Sequence, residues 1–235
     1  MMLIIRKSLF AVLILVMLAT ASVAEARDTF YIAPSQVALS KVIQPPPANS
    51  QAQKDDLKAV QAAQKTRTEA QIKTALADNS VLTVFFANDV LGPNFTKENL
   101  KIAAPFFDRV FADQIEACLE IKEHFNRQRP FVIDPEIKPI YQQSANPSFP
   151  SGHATTGYVY TIILSMMVPE KTQELYDRAE AYGRNRVIAG VHFPTDVEAG
   201  RVSAAVIVNA LIQQPLFMRD FERAKKEIRK VLDLK

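Results

Sequence analysis

Three short stretches of the chain hold residue types whose spacing could do chemistry. The first is Lys122 and Arg129, seven residues apart with Phe125 between them. On a continuous helix that spacing returns two side chains to nearly the same azimuth. The face they would share carries Ile115 and Cys118 further upstream. Two cations on a partly buried stripe repel each other unless an anion joins them. The plain alternative is that both stems run out to solvent.

The second stretch is Pro150-Ser151-Gly152-His153, directly before an apolar run. Ser151 suits a helix N-cap, and Gly152 lets the backbone come close to a ligand. Free N–H groups and the helix dipole at such an end attract an oxyanion such as phosphate. His153 falls in the first turn, where an imidazolium could give a proton to a departing oxygen. Without the histidine, Ser151-Gly152 would read as a cap and nothing more.

The third stretch is Arg186-Val-Ile-Ala-Gly-Val-His192-Phe-Pro-Thr-Asp196. Gly190 can end one helix and Pro194 can open the next, leaving His192 in a short rigid linker and Asp196 in the following first turn. Asp196 can accept a hydrogen bond from one ring nitrogen, which fixes the tautomer and leaves the other nitrogen's lone pair free to attack. Read alone, the pair also fits a structural histidine beside a first-turn acid.

These groups need elements to position them. From Lys54 to Ala77 there is no Pro or Gly, and alanines recur at helical spacing, which predicts one helix with a small-residue face. Leu82 to Phe86 is short and apolar, strand or buried helix, and Asn88 to Asn94 reads as a turn. Thr96 to Gln128 is helical with a break expected near Pro105, and Ile115, Cys118, Leu119 and Phe125 form much of its apolar face. Five prolines between 130 and 150 predict a connecting loop. Helices are expected over 151–167, 171–189, 194–213 and 216–234. Strand signals are almost absent, so the expected fold is all-α, a single-domain helical bundle spanning 54–235.

Two segments precede that domain. Arg6 and Lys7, an apolar run from Leu9 to Ala19, and small residues at Ala24-Glu25-Ala26 read as a signal peptide over 1–26, cleaved near Ala24 or Ala26. The apolar run is shorter than the roughly 20 residues a membrane span needs. Residues 27–53, with Pro34 and Pro45-Pro46-Pro47, predict an extended arm lying across the body.

The whole chain has 235 residues and 48% hydrophobic content, enough for one ordinary core. Without residues 1–26 it keeps 26 basic and 24 acidic residues, a net charge of +2. That balance, with no basic stripe interleaved with aromatics, argues against nucleic-acid binding. The single cysteine, Cys118, excludes an internal disulfide. Of the three histidines, His124 lies two residues from Lys122 and so points away from the cationic face. The other two stand far from any Asp/Glu ligand spacing, so no metal site is expected.

Taken together, Lys122 with Arg129-Pro130, then Pro150-Ser151-Gly152-His153, then Arg186, His192 and Asp196 resemble the signature of the phosphatidic-acid-phosphatase type 2 superfamily, which includes the vanadium haloperoxidases. Length, leader, the Pro45-Pro46-Pro47-Ala48 arm and helix order make the chain look like a bacterial class A non-specific acid phosphatase, over residues 30–230. The resemblance implies that Lys122, Arg129 and Arg186 grip phosphoryl oxygens with the Ser151 side chain and Gly152 N–H. It also implies that His192 attacks phosphorus, that Asp196 orients it, and that His153 serves as acid and then base. It implies no metal and no other cofactor, small phosphomonoesters as substrates and inorganic phosphate as product. A periplasmic or secreted location without a stable membrane anchor follows, and association into homo-oligomers as in related enzymes. One position departs from the pattern: Asn185 stands where the family usually has Ser.

Three other functions compete. A lipid phosphate phosphatase would usually carry several membrane-spanning helices, and the chain beyond the leader has no apolar run of roughly 18 residues. A vanadium-dependent peroxidase would share the pocket, because vanadate mimics the phosphoryl transition state, but the chain is short for one. A non-catalytic phosphate-binding protein would need the cations and amides without His192 and Asp196.

Overall fold

The computed structural model describes residues 29–143 and 146–235, and among them there are nine α-helices and no strand. In chain order these are α1 (Gln51–Thr66), α2 (Glu69–Asn79), α3 (Asn88–Leu91), α4 (Ala103–Phe125), α5 (Pro130–Ile133), α6 (Gly152–Met167), α7 (Thr172–Ile188), α8 (Pro194–Ile212) and α9 (Pro215–Val231). The fold is all-α and single-domain, as the sequence leads one to expect. The leader expected over 1–26 lies outside the described residues.

Helix α6 is the centre because it has no polar face to spare: Ala154 through Thr161 are all buried. A helix apolar all round must be covered on every side, and α4, α7, α8 and α9 surround it. Helices α1 and α2 add an outer layer on α7. The core between α4, α6 and α9 is aromatic, with Phe106, Phe107, Tyr160 and Phe217 at most 1% exposed. Each such side chain contributes roughly 1.5–3 kcal/mol by leaving water. Helix α9 turns 101° away from α8, and among the described residues no single helix is long and apolar enough to cross a membrane.

Several local expectations are revised. The helix foreseen over 54–77 is two helices, because Thr68 caps α2 in a reciprocal box with Gln71. Arg67 is extended there and sends its guanidinium to the carbonyls of Ile188 and Lys138. Thr68-x-x-Gln71 is a sequence-level helix start that the absence of Pro and Gly concealed. Pro105 does not break a helix: it stands third in α4, where a missing N–H costs nothing. The segment Leu82–Phe86 contributes to a 3-10 turn, Val84–Ala87.

The N-terminal segment is pinned to α4. The Asp113 carboxylate accepts the N–H groups of Phe30 and Tyr31 at 2.7 Å each and of Ile32 at 3.1 Å. The Tyr31 hydroxyl donates to Asp220 at 3.1 Å. Two 3-10 turns, Pro34–Gln36 and Leu39–Lys41, precede an irregular stretch through Pro45–Pro47. Regular helix resumes at Gln51 with Ser50 as its cap, three residues before Lys54.

Candidate active site

Lys122 and Arg129 do meet, but not along a helix. Helix α4 ends at Phe125 because Asn126 adopts a left-handed conformation (φ 45°, ψ 40°) and its N–H caps the Lys122 carbonyl. Arg129 is extended and precedes Pro130, which opens α5. The expectation that the two cations share one helical face is therefore corrected: a turn brings them together. The Lys122 ammonium donates to the carbonyls of Pro147 (2.8 Å) and Ser148 (3.2 Å). Burial, and then the charge of Arg129, bring its pKa down to about 8. The Arg129 guanidinium spans Asn146 (Nε to the carbonyl, 2.8 Å; Nη2 to Oδ1, 2.8 Å), the Val191 carbonyl (2.7 Å) and His192 Nε2 (3.2 Å). Burial lowers it to about 10, so both groups stay cationic in acid.

Arg186, 1% exposed in the last turn of α7, reaches the Ala75 carbonyl (2.8 Å) and the Tyr141 hydroxyl (3.1 Å). Its buried Nε has no hydrogen-bond partner among the described residues. Asn185, beside it, donates to Asp78 Oδ2 at 2.7 Å, and Arg178 grips the same carboxylate. The residue that departs from the usual Ser thus has a buried partner on α2.

Ser151 is the N-cap of α6: its hydroxyl accepts the Ala154 N–H at 3.3 Å, and the side chain is fully buried. Gly152 and His153, not Ser151, face a cavity of about 170 Å³ whose wall also includes Lys122, Arg129, Arg186 and His192. A Cβ built on Gly152 would meet nothing within 4 Å, so the backbone there is open to a ligand. The His153 ring lies near Tyr182, and its Nε2 is 3.3 Å from the Asn79 carbonyl, so Nε2 carries a proton. Burial, followed by the charge of Arg186, lowers His153 to about 4. His124 is exposed on α4, away from this cavity.

His192 sits in the linker between α7 and α8. Gly190 makes the turn with φ +77°, a conformation that suits glycine. The Val191 N–H returns to the Arg186 carbonyl at 3.2 Å. Nδ1 of His192 lies 3.3 Å from Asp196 Oδ2, which also accepts the Phe193 N–H at 2.9 Å. At the other ring nitrogen stands Arg129, whose guanidinium has only donors. An acceptor at Nδ1 and a donor at Nε2 select the neutral Nδ1–H tautomer, with the Nε2 lone pair at the cavity. Burial, then the charges of Arg129 and Lys122, hold His192 well below the usual imidazole range.

Sequence reasoning missed Arg127, which is buried and bridges Asp196 Oδ1 (2.6 Å) to Asp56 (2.7 Å). It missed Asn79 and Tyr141 as partners of Arg186, and the apolar cavity wall formed with Leu82. These partners come from segments distant in sequence, with no spacing to reveal them. Among the described residues, no three His, Cys, Asp or Glu side chains cluster as a metal ion would require.

Residues 109–219 match the family model of the PAP2 superfamily. The chain is 30% identical over 222 residues to a non-specific acid phosphatase from Providencia stuartii, covering 87% of this chain and 86% of that protein. It is 30% identical to an acid phosphatase from Zymomonas mobilis over 59% of this chain and 54% of that one. It is 35% identical to a non-specific acid phosphatase from Salmonella typhimurium over 48% and 46%. The fold is similar to that of a transmembrane PAP2-type phosphatidylglycerolphosphate phosphatase from Bacillus subtilis (TM-score 0.54, 21% identity, 77% of this chain and 94% of that one). It is also similar to a bacterial vanadium-dependent iodoperoxidase (TM-score 0.52, 20% identity, 72% and 52%). With its three motif clusters around one cavity and a relative aligned along most of both chains, this protein belongs to the PAP2 superfamily, in the company of the non-specific acid phosphatases.

Proposed function

We propose that this protein is an exported, metal-independent acid phosphatase that hydrolyses phosphomonoesters through a phosphohistidine on His192. The observation that carries this reading is the opposed pair of partners on His192: Asp196 at Nδ1 and Arg129 at Nε2. Such an imidazole is a neutral nucleophile aimed at a cationic cavity.

In the first step the Nε2 lone pair attacks phosphorus and the bond from phosphorus to the ester oxygen breaks. His153 hands a proton to that oxygen, so an alcohol leaves. In the second step neutral His153 takes a proton from water, the resulting hydroxide oxygen bonds to phosphorus, and the P–N bond breaks. Inorganic phosphate departs and His192 regains its lone pair. Lys122, Arg129 and Arg186 would face the equatorial oxygens, with the Gly152 N–H at the helix start. Ser151 would act by capping that helix, since its hydroxyl is buried against Ala154.

The charge balance supports a dianionic ligand handled without metal. Lys122, Arg127, Arg129 and Arg186 are cations, while Asp56 and Asp196 are the carboxylates in their network, leaving two positive charges in excess. The buried Arg186 Nε adds a donor that a phosphoryl oxygen could use. Leu82, Ile115 and Leu119 give the cavity an apolar side suited to an aryl or alkyl leaving group.

The test is His192→Ala assayed with a small aryl phosphate in excess chelator, with alkaline-quenched trapping of labelled phosphate on the wild-type chain. Loss of turnover in the variant and acid-labile label on His192 are expected. Full activity in the variant overturns the reading, and dependence on added metal overturns its metal-free part. Vanadate should inhibit competitively and should not produce halide oxidation.

A further inference from the structure

We infer that Arg127 and Asp56 are positioning residues of this site: Asp56 holds Arg127, and Arg127 occupies one oxygen of Asp196 so that the other is left for His192. This rests on the reading of His192 as nucleophile. The geometry is closed on every side. Arg127 Nη1 donates to Asp196 Oδ1 at 2.6 Å and to Thr195 Oγ1 at 2.8 Å. Its Nη2 donates to Asp56 Oδ2 and to Gln53 Oε1, both at 2.7 Å. The guanidinium carbon lies 4.2 Å from the centroid of the Phe193 ring. Asp56 also accepts the Thr195 N–H at 3.2 Å and the Thr195 hydroxyl. The side chains of Arg127, Asp56 and Asp196 are 5%, 3% and 0% exposed.

The chemical need is specific. Burial pushes the Asp196 carboxyl upward, and Arg127 is the first influence pulling it back. A protonated Asp196 could donate to Nδ1 instead of accepting from it, and the imidazole would then carry its proton on Nε2, with no lone pair at the cavity. The charged groups around Asp196 are Arg127 from the segment after α4, Lys122 from the last turn of α4 and Arg129 before α5, and the titratable group beside it is His192 before α8. Lys122 and Arg129 spend their hydrogen bonds on carbonyls, Asn146 and His192. Arg127 gives its own to the carboxylate. Asp56 fixes the fork from α1 and offsets a charge that would otherwise add to a site already rich in cations.

The test uses the full chain carrying Arg127→Lys or Asp56→Asn, with two readouts. Long-range 1H–15N spectra of the histidine rings report the His192 tautomer without any turnover. Wild type should show Nδ1–H, and Arg127→Lys should show loss of that single tautomer with Nε2–H appearing. In steady-state assays kcat should fall about 10- to 100-fold with KM nearly unchanged, and the acid limb of kcat should move to higher pH. Asp56→Asn should act in the same direction with smaller size. Unchanged tautomer, kcat and pH profile in both folded variants overturns the inference. Collapse of the fold in both variants, seen by circular dichroism, overturns it as well, since the network would then be purely structural. Should His192→Ala retain turnover, the nucleophile reading fails, and the tautomer spectra still decide whether Arg127 and Asp56 orient the ring.

Discussion

The backbone N–H of Ser151 donates to the backbone carbonyl of Asp196 at 2.9 Å. One hydrogen bond thus ties the start of the helix that carries His153 to the first turn of the helix that orients His192. One turn further, Gly200 lets the two helices touch: a Cβ there would lie 2.9 Å from Ala154 Cβ and from the Thr155 nitrogen, and 3.0 Å from the Ser151 carbonyl. Gly200→Ala is expected to cost about 1–3 kcal/mol through forced overpacking. Urea unfolding should show that loss, and kcat should fall with it because His153 moves relative to His192.

The Arg129 fork serves four acceptors at once: the Asn146 carbonyl and amide oxygen, the Val191 carbonyl and His192 Nε2. A lysine offers a single point of charge and cannot span them. Arg129→Lys should therefore lose activity almost as far as Arg129→Ala, with kcat down roughly 100-fold or more. Recovery of most of the rate by lysine would show that charge alone is what the site needs. Steady-state kinetics on an aryl phosphate reads the difference.

His153 is lowered to about 4 from an ordinary 6.5 by burial and then by Arg186. Neutral His153 with a substrate monoanion holds the same number of protons as protonated His153 with a dianion. The second ionisation of a phosphomonoester lies at about 6. Accordingly kcat/KM should be highest between about 4 and about 6, falling on both sides. His153→Asn should slow alkyl phosphates more than aryl phosphates, whose leaving groups need less protonation.

The same shift has a stability consequence of fixed sign. A folded-state value below the unfolded one favours the neutral ring in the fold, so the contribution is complete above about 6.5 and is lost as pH falls toward and through about 4. His192, shifted in the same direction, adds to it. Calorimetry should record a falling Tm over this range. Inorganic phosphate should offset part of the fall, since an anion beside Arg186 removes one cause of the shift. A Tm that is flat across this range, with or without phosphate, would contradict the assigned environment.

Asp78 is buried and binds Arg178 through both oxygens as well as Asn185. Removing it leaves the Asn185 amide without its acceptor and Arg178 with only the Phe86 carbonyl and the exposed Asp89 carboxylate, so Asp78→Ala should cost about 3 kcal/mol. Asn185→Ser removes one hydrogen bond and should cost about 1 kcal/mol. The two variants should also separate in activity, because Asn79, next to Asp78, contacts both His153 and Arg186. Chemical denaturation and turnover measured on the same samples check both statements.

Much of the chemistry was legible from local spacing. His192 and Asp196 are four apart across the start of α8, and Ser151 to His153 is one helix start. Such pairs are governed by backbone geometry that short-range sequence encodes. The Lys122–Arg129 pair was recognised for the wrong reason, because a left-handed Asn126 ends the helix that their spacing implied. The split between α1 and α2 was written in Thr68 and Gln71 but outweighed by the uninterrupted alanine pattern.

The sequence by itself determined the all-α class, the starts of α6 to α9, and the types of side chain available for phosphate chemistry, since each depends on neighbours a few residues away. Only the tertiary structure decided which of those side chains share a cavity, which tautomer His192 adopts, and that Gly152 lines the cavity wall while Ser151 does not. It alone brought Asp56, Arg127 and Asp196 together across 71 and 69 residues of chain. Charges so far apart in sequence have no periodicity to betray them. Burial, which sets their protonation and their coupling, exists only once the helices have packed.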